Sequence, residues 1–290
     1  QRMLQRVQTK WITGFLENDR YYDKELLLLP LCRRVGDPWD SDLPDPLESA
    51  ESLPLDTNIS DVFDEADRRL LILGDEGTGK TTLLLELTRD LLKKAENDER
   101  YPIPVVLLLS SWATKQLSLE EWIVEELQSE KYQRVPRQIA QYWVENSQLL
   151  LLLDGLDEVA PDALPACIEA VNKYVAQANR SIAICSLKEE YLKQDKRLSL
   201  RTTVSVQPLS FQKVVEYLST LGKGVSGLKD ALEQGKTLRE LVTTPLFLKL
   251  LILTYHGKSA EELLPLIEIA SAKEQQHMLF HAYVERVLQK

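Results

Sequence analysis

The segment Gly74–Thr81, which reads GDEGTGKT, constrains the fold of this chain more than any other feature. It fits the pattern G-x-x-x-x-G-K-[ST], whose glycines let the backbone wrap closely around a bound group. The apolar residues 69–73 before it predict a buried strand, and leucines at helical spacing over residues 82–92 predict a helix after it. A strand, a glycine-rich turn and a helix in this order direct backbone N–H groups and the positive helix end to one place. The sequence therefore predicts a phosphate-binding loop.

The residues of this loop have separate predicted roles. Lys80 is expected to reach the β- and γ-phosphates of a nucleotide, which also makes it a catalytic candidate, and the Thr81 hydroxyl is expected to face Mg²⁺. The alternative is a glycine turn followed by a solvated lysine, and the strand and helix beside the loop argue against it. The predicted phosphate contacts are Gly74, Asp75, Gly77, Thr78, Gly79, Lys80, Thr81 and Thr82.

A second motif starts with the five leucines of residues 149–153 and continues as DGLDE through Glu158. A buried parallel strand that ends in a carboxylate places this group in the crevice where α/β folds bind ligands. Asp154 is therefore expected to bind Mg²⁺ through a water, and Asp157 and Glu158 are candidates to orient or deprotonate the attacking water. A lone acidic pair is more often a solvated loop, but the leucine run before this pair favours the catalytic interpretation.

The composition limits the classes of partner. A formal net charge of −10 argues against a surface that binds nucleic acid broadly. No run approaches the ~20 apolar residues that span a bilayer, so we expect no membrane partner. The three cysteines, Cys32, Cys167 and Cys185, are far apart in the sequence, which favours reduced thiols and a cytoplasmic protein. The chain begins at Gln1 and ends within a helical pattern, so we expect it to be part of a longer protein.

The hydrophobic pattern divides the chain into four regions. Residues 1–20 hold a helix with one apolar stripe, which indicates either a helix docked on the core or a linker to another domain. Residues 21–58 are rich in proline and are predicted to form an extended arm outside the core. Strands and helices alternate over residues 59–207, which is typical of a doubly wound parallel α/β sheet, and residues 208–290 indicate a small all-α subdomain. The predicted strands lie near residues 69–73, 105–109, 149–153, 181–185 and 203–206, and the later helices near 210–221, 226–234, 237–242, 245–256 and 259–289.

Taken together, these motifs resemble the NACHT family of signal-transduction NTPases, which belong to the STAND class of P-loop ATPases and are related to NOD-like receptors. The DGLDE sequence is similar to the family's extended acidic motif, in which a small residue separates the Mg²⁺ aspartate from a second acidic pair. Further similarities lie at residues 102–112, 207–210 and 243–246. The resemblance covers residues 59–290 and is nearest to the bacterial members of the family.

The resemblance implies a fold and a function. It implies a sheet with strand order 5-1-4-3-2 followed by a helical subdomain, with Pro245 near the adenine of ATP or ADP. It also implies a Mg²⁺-dependent nucleotide switch that self-associates when activated and serves bacterial signalling and defence against phage. An N-terminal effector and a C-terminal sensor domain are expected outside this chain. The stretch before the first core strand often borders the adenine in the family, which makes Ile59 and Phe63 candidates for base contacts.

One departure from the family pattern affects the expected chemistry. Family members usually carry an arginine that senses the γ-phosphate after the fourth core strand, whereas Leu187 stands there and Lys188 follows. A lysine is a point charge on a flexible stem and does not reproduce the planar fork of arginine. Two hypotheses therefore remain open: a slow ATPase switch, and a scaffold that binds ATP or ADP without hydrolysing it. A third hypothesis assigns partner docking to the N-terminal helix and the arm.

Overall fold

The computed structural model describes residues 1–17, 27–35, 50–115, 117–178, 180–269 and 271–288. The contacts within the chain divide it into two compact units. The first unit comprises Gln1–Asp19, Leu31–Glu76 and Lys80–Val206, and the second comprises Arg20–Pro30, Gly77–Gly79 and Gln207–Lys290. Apart from two short segments, the second unit is therefore the C-terminal part of the chain.

The first unit is built on one sheet of seven strands: β1 (Leu31–Val35), β2 (Glu51–Ser52), β3 (Arg69–Gly74), β4 (Ile103–Leu108), β5 (Leu149–Asp154), β6 (Ser181–Leu187) and β7 (Thr202–Val206). Their order is β2-β1-β7-β3-β6-β5-β4. The strands from β7 to β4 are parallel neighbours, and their order is the predicted 5-1-4-3-2 arrangement. Of these strands, β7, β3, β6 and β5 are interior and β4 is at one edge of the sheet. The interior strands are largely apolar: all five leucines of residues 149–153 in β5, for example, are fully buried.

The prediction that residues 21–58 stay outside the core is wrong for two segments. β1 pairs antiparallel with β7, starting with Leu31 opposite Val206, and β2 pairs antiparallel with β1. Because the prolines flank β1 and do not interrupt it, its backbone is free to join the sheet. Residues 36–49 of this region, like residues 18–26, lie outside the described residues. β1 therefore belongs to the sheet, whereas partner docking by the N-terminal helix and the arm stays a prediction.

The N-terminal helix packs on the α/β core of the first unit. It starts as α1 (Arg2–Val7) and continues as a π-helix over Gln8–Glu17. Trp11 Nε1 donates a hydrogen bond to the Tyr132 hydroxyl at 3.2 Å, and this hydroxyl donates to the carbonyl oxygen of Val106 in β4. The buried side chains of the helix are Met3, Leu4, Val7, Ile12 and Leu16.

Helices connect the parallel strands of the first unit. The helix predicted after the phosphate-binding loop is α3 (Lys80–Asn97), which buries its leucines at helical spacing. Among the described residues, no helix combines the length and the apolarity needed to cross a bilayer. The other helices of this unit are α2 (Ile59–Glu65), α4 (Ser110–Ala113), α5 (Leu119–Gln128), α6 (Arg137–Glu145), α7 (Leu164–Val175) and α8 (Lys188–Leu192).

The second unit is all-α and has its own core of buried leucine, valine and alanine side chains. The prediction of one continuous helix over residues 259–289 is wrong, because this stretch forms a short 3-10 turn and two separate helices. Pro265 lies in the first turn of the former helix, and the carbonyl of Ser271 accepts the first hydrogen bond of the latter from Gln275 N at 3.0 Å. The helices of this unit are α9 (Phe211–Thr220), α10 (Ser226–Gln234), α11 (Lys236–Leu241), α12 (Pro245–Tyr255), α13 (Leu264–Ile267) and α14 (Ala272–Leu288).

Candidate functional site

The predicted phosphate-binding loop connects the end of β3 to the start of α3. Two of its glycines have backbone conformations that other residues rarely adopt, with φ of 73° at Gly77 and 96° at Gly79. Both glycines are also tightly packed inside the second unit. A Cβ on Gly77 would stand 2.8 Å from the Cβ of Leu246, and one on Gly79 would stand 3.0 Å from the Cδ1 of Leu29. The shape of the loop therefore requires glycine at both positions.

Lys80 lies in the first turn of α3 and folds back over the loop. Its Nζ donates hydrogen bonds to the carbonyl oxygens of Gly74 at 3.0 Å and Asp75 at 2.8 Å. Burial lowers the pKa of Lys80, and the neighbouring acidic groups, Asp157 foremost, offset only part of this effect. A partly buried ammonium at the positive end of a helix is stabilised by an anion. A nucleotide polyphosphate supplies that anion.

Thr81 and Asp154 are distant in sequence and adjacent in the structure. The Thr81 hydroxyl donates a hydrogen bond to Asp154 Oδ2 at 2.8 Å. The carbonyl of Asp154 accepts a second bond from the backbone N of Leu109 at 2.9 Å, which fixes the end of β5. Burial raises the pKa of Asp154; the Thr81 hydrogen bond opposes this shift, and the carboxylates of Glu158 and Asp157 add to it. A cation at this carboxylate would therefore be stabilising.

The donor set of Thr81 and Asp154 fits a magnesium ion. Mg²⁺ prefers oxygen ligands, keeps several waters and takes further ligands from nucleotide phosphates, so one hydroxyl and one carboxylate from the protein suffice. Over the part of the chain that the structure describes, no group of three or more His, Cys, Asp or Glu side chains is arranged to hold a metal ion. The oxygens of Thr81 and Asp154 match a magnesium site whose remaining ligands would be waters and nucleotide phosphates.

The two acidic residues that follow Asp154 in the motif, Asp157 and Glu158, lie in different environments. Asp157 Oδ1 accepts a hydrogen bond from the backbone N of Leu187 at 2.8 Å, which ties the turn after β5 to the end of β6. Glu158 is exposed, and its side chain lies against Gly155, where a Cβ would stand 2.8 Å from Glu158 Cδ. Gly155 also has a φ of 75°. The glycine thus lets the Glu158 carboxylate lie beside the strand end that carries Asp154.

Leu187, the residue in place of the expected arginine, ends β6 beside the phosphate-binding loop. It pairs in register with Gly74, the first residue of the loop, and Lys188 begins α8. Leucine at this position offers a bound phosphate no charge and no side-chain hydrogen bond. The structure therefore places the departure from the family pattern directly at the loop.

The other residues that were predicted to contact the nucleotide differ in burial and in the element that carries them. Asp75 is exposed, Thr78 is buried at 3% exposure, and Thr82 is partly buried in the first turn of α3. Pro245 begins α12 in the second unit, and the residue after it donates its backbone N–H to Gly77 O at 3.1 Å. Because Leu246 follows Pro245 directly, this bond places Pro245 close to Gly77.

Three residues near the first core strand and the phosphate-binding loop are buried in the core. Ile59 and Phe63 are 3% and 0% exposed, so both side chains belong to the core and the expectation of base contacts is not supported. Cys185 lies behind the loop, with its Sγ 3.7 Å from the carbonyl oxygen of Lys80. Burial raises the pKa of Cys185 well above its usual value, so it packs as a small apolar side chain. The strand order was the only signal for this neighbourhood.

Comparison with known proteins identifies the family. A family model for the NACHT domain matches residues 68–223, which is more than half of the chain. The chain belongs to the NACHT family. As a NACHT protein it is a nucleotide-binding P-loop NTPase module, and the matched range contains both the phosphate-binding loop and the acidic motif.

Two solved structures show low sequence identity to the NACHT chain. No curated protein matches its sequence. PCH-2 from C. elegans is 17% identical with a TM-score of 0.35, over 76% of this chain and 62% of that one. A structure of the Drosophila ORC bound to DNA contains a chain that is 16% identical with a TM-score of 0.45, over 76% of this chain and 61% of that one. The NACHT chain therefore spans about three fifths of the length of each of these chains.

We expect the substitution Asp154→Asn to weaken magnesium-dependent ATP binding while the protein still folds. The asparagine oxygen can still accept the Thr81 hydrogen bond but carries no charge, so ATP affinity in the presence of Mg²⁺ should fall by about tenfold. Burial raises the pKa of Asp154, so the folded state binds this proton more tightly than the unfolded state. The free energy of unfolding therefore decreases as the pH rises through the raised pKa of Asp154. The Asp154→Asn variant should not show this decrease. ATP titrations with and without Mg²⁺, and unfolding curves from about pH 4 to pH 8, measure both effects.

The matched control for this substitution is Asp162→Asn, which neutralises an exposed aspartate a short distance along the chain. It should change neither the magnesium dependence nor the pH profile. If Asp154→Asn leaves the benefit of Mg²⁺ intact, then Asp154 is not a metal ligand.

Proposed function

We propose that this NACHT chain is an ATP-dependent molecular switch that binds ATP or ADP with Mg²⁺ and hydrolyses ATP slowly. Lys80 holds the β- and γ-phosphates, Thr81 and Asp154 hold the metal, and Asp157 and Glu158 orient the attacking water. Pro245 packs at the edge of the adenine. The backbone and side chains that surround the phosphates are those of Gly74, Asp75, Gly77, Thr78, Gly79 and Thr82.

The observation that carries this proposal is the hydrogen bond from Thr81 Oγ1 to Asp154 Oδ2 at 2.8 Å. It joins the two motifs that were identified separately in the sequence, and it does so next to Lys80. A hydroxyl, a carboxylate and an ammonium at one helix N-terminus form a set that suits Mg²⁺ and a polyphosphate together.

A switch requires states that interconvert slowly and that bind the two nucleotides with different affinity. Slow hydrolysis is consistent with Leu187, because no guanidinium at the end of β6 stabilises the charge that develops on the γ-phosphate. The family resemblance supplies the biological setting of the proposal: cytoplasmic bacterial signalling in defence against phage, with an effector before this chain, a sensor after it, and self-association in the active state. These points rest on analogy with the family.

The test of the switch is the response of the chain to each nucleotide. ATP with Mg²⁺ and ADP with Mg²⁺ should both raise the unfolding temperature, and only one of the two should shift the molar mass in light scattering toward an oligomer. A ligand at 100 times its Kd stabilises by about 2.7 kcal/mol, which is a shift of several degrees. Equal molar mass in both nucleotides would contradict a nucleotide-controlled association, and no thermal shift in either would contradict the site.

The second candidate function is a scaffold that binds ATP or ADP and does not hydrolyse it. The uncharged Leu187 at the end of β6, beside Gly74, favours this candidate. Phosphate release by the unmodified chain decides between the two functions. Release above background under single-turnover conditions supports the switch, whereas release at background together with clear thermal stabilisation by nucleotide supports the scaffold.

A further inference from the structure

A cavity of about 990 Å³ lies in the first unit beside the N-terminal helix, away from the predicted nucleotide site. Its walls include the first turn of α1, the end of α3 and Ile103, the first residue of β4. Gly74 and Asp154 end their strands at the carboxyl edge of the sheet, so this cavity lies at the opposite, amino-terminal edge. Its volume lies at the upper end of the range of ~300–1,000 Å³ that is typical of ligand sites.

Three arginines line this cavity: Arg2, Arg6 and Arg134. Arg2 and Arg6 are four residues apart in α1 and therefore share one face of the helix. Like charges at this spacing destabilise a helix, and the α1 sequence RMLQRV contains no acidic residue to balance them. An anionic group in the cavity would relieve this repulsion.

The guanidinium of Arg6 is held in a fixed position. Its Nη1 donates to the carbonyl of Tyr132 at 3.0 Å, and its Nε donates to Gln133 Oε1 at 3.1 Å. These bonds use two of the five N–H donors of an arginine side chain. The Arg6 guanidinium is therefore held in place and keeps three N–H donors for a ligand. An arginine that is already ordered loses less entropy when it binds an anion.

Arg134 is presented from a strained backbone. Gln133 and Arg134 have φ of 52° and 53°, which is the left-handed region that residues other than glycine rarely adopt. The Arg134 side chain pairs with Glu130 Oε1 at 2.6 Å, but the two side chains are 74% and 83% exposed. An ion pair this exposed contributes little, so Arg134 can exchange it for a ligand carboxylate.

The rest of the lining is partly apolar and partly acidic. Pro136, Ile139 and Trp143 line the cavity, and Ile139 is 44% exposed. Glu96 and Glu99 line it as well, so three positive and two negative side chains share the site. These charged side chains give the lining a net charge of only +1, three minus two, so a ligand with a few separated carboxylates and apolar groups suits it better than a dense polyanion such as nucleic acid.

We propose that this cavity binds an acidic peptide segment in an extended conformation, with acidic and apolar residues in alternation. The spacing supports this ligand: Arg2 and Arg6 are ~6 Å apart along the axis of α1. Alternate side chains of an extended peptide lie ~6.6 Å apart on one side of its backbone, which matches that interval. The apolar side chains on its other side would contact Ile139 and Trp143. The proposal does not depend on nucleotide binding.

Fluorescence anisotropy with a labelled peptide of sequence ELEFE tests the proposal on the full chain. The neutral peptide QLQFQ with the same label is the matched control, and it should bind at least about tenfold more weakly. Binding of ELEFE should weaken with added salt. The double substitution Arg2→Gln with Arg134→Gln should weaken it by about 10- to 100-fold, because two charge-assisted contacts are lost.

Two further variants complete the design. Arg201→Gln removes an exposed arginine that pairs with Asp67 outside this cavity, and it should leave ELEFE binding unchanged. Ile139→Ser removes an apolar contact without adding a charge and should weaken ELEFE binding, and unfolding curves check that each variant is folded. Equal affinity for ELEFE and QLQFQ, full affinity in the double arginine variant, or no binding of ELEFE to the unmodified chain would each overturn the proposal.

Discussion

Replacing Lys80 by methionine should lower the affinity for ATP by about 100-fold and leave the fold intact. A hydrogen bond to a charged group contributes about 1.5–3 kcal/mol, and Lys80 is proposed to contact two phosphates, which gives this magnitude. The expected effect on stability is small. Burial lowers the pKa of Lys80, so the buried charge is unfavourable to the folded state, and its removal offsets the loss of the bonds to Gly74 and Asp75. Isothermal calorimetry and thermal unfolding measure the two quantities separately.

The sign of the stability effect follows from the direction of the pKa shift. A lysine with a lowered pKa in the folded state binds its proton less tightly there than in the unfolded state. Its folded state therefore gains stability as the pH rises through the lowered pKa, and the Lys80→Met variant should lack this gain. The comparison at alkaline pH thus reports the burial of Lys80 without any nucleotide.

The matched control is Lys93→Met in the same helix. The Lys93 side chain is 65% exposed and pairs with Asp90 at 3.3 Å, so its loss should change ATP affinity by less than about twofold. A structural role for Lys80 predicts the opposite result, in which Lys80→Met unfolds at lower temperature and retains its nucleotide. That outcome would remove the phosphate-binding role.

Replacing Glu158 by glutamine should lower phosphate release by about 100-fold or more and preserve ATP binding. General base catalysis contributes a factor of ~10²–10⁴, and glutamine keeps the shape of the side chain but accepts no proton. The position of Glu158 supports this role, because its carboxylate lies over Gly155 next to the strand end of Asp154. Single-turnover hydrolysis of radiolabelled ATP measures the slow rate directly, and the thermal shift with ATP checks that binding persists.

The substitution Asp157→Asn tests whether Asp157, rather than Glu158, acts as the catalytic base. The asparagine oxygen can still accept the hydrogen bond from Leu187 N, so the turn should keep its geometry while the charge is lost. Asp162→Asn serves as the exposed control and should hydrolyse ATP at the normal rate. If Glu158→Gln hydrolyses ATP as fast as the unmodified chain while Asp157→Asn does not, the base is Asp157. If neither substitution has an effect, the acidic pair is not catalytic.

Much of the α/β core could be predicted because its signals are local. The apolar runs of β3 and β5, the glycine loop and the leucine periodicity of α3 each specify an element within a few residues. The strand order came from the family resemblance and matches the structure. The strand β1 could not be predicted, because LCRRV has no alternating apolar pattern and forms a strand only when the backbone of β7 is beside it.

The candidate site shows the same division. The types of its residues are visible in the sequence, but their distances from one another are not. Asp157 accepts a hydrogen bond from Leu187 N, and Glu158 lies against Gly155. Both contacts depend on where β5 and β6 end relative to each other. The sequence did not indicate the arginine-lined cavity, because Arg2 in α1 and Arg134 are brought together only by the packing of α1 on the core.

The sequence by itself determined that this chain carries a phosphate-binding loop and a strand that ends in an aspartate, because each of these motifs consists of contiguous residues. Only the tertiary structure decided that Thr81 and Asp154 share a hydrogen bond, that β1 extends the sheet and that three arginines face one cavity. Contacts of this kind join residues far apart in the chain. Their geometry is fixed by the buried sheet that holds the strand ends in register, and no local pattern encodes that register.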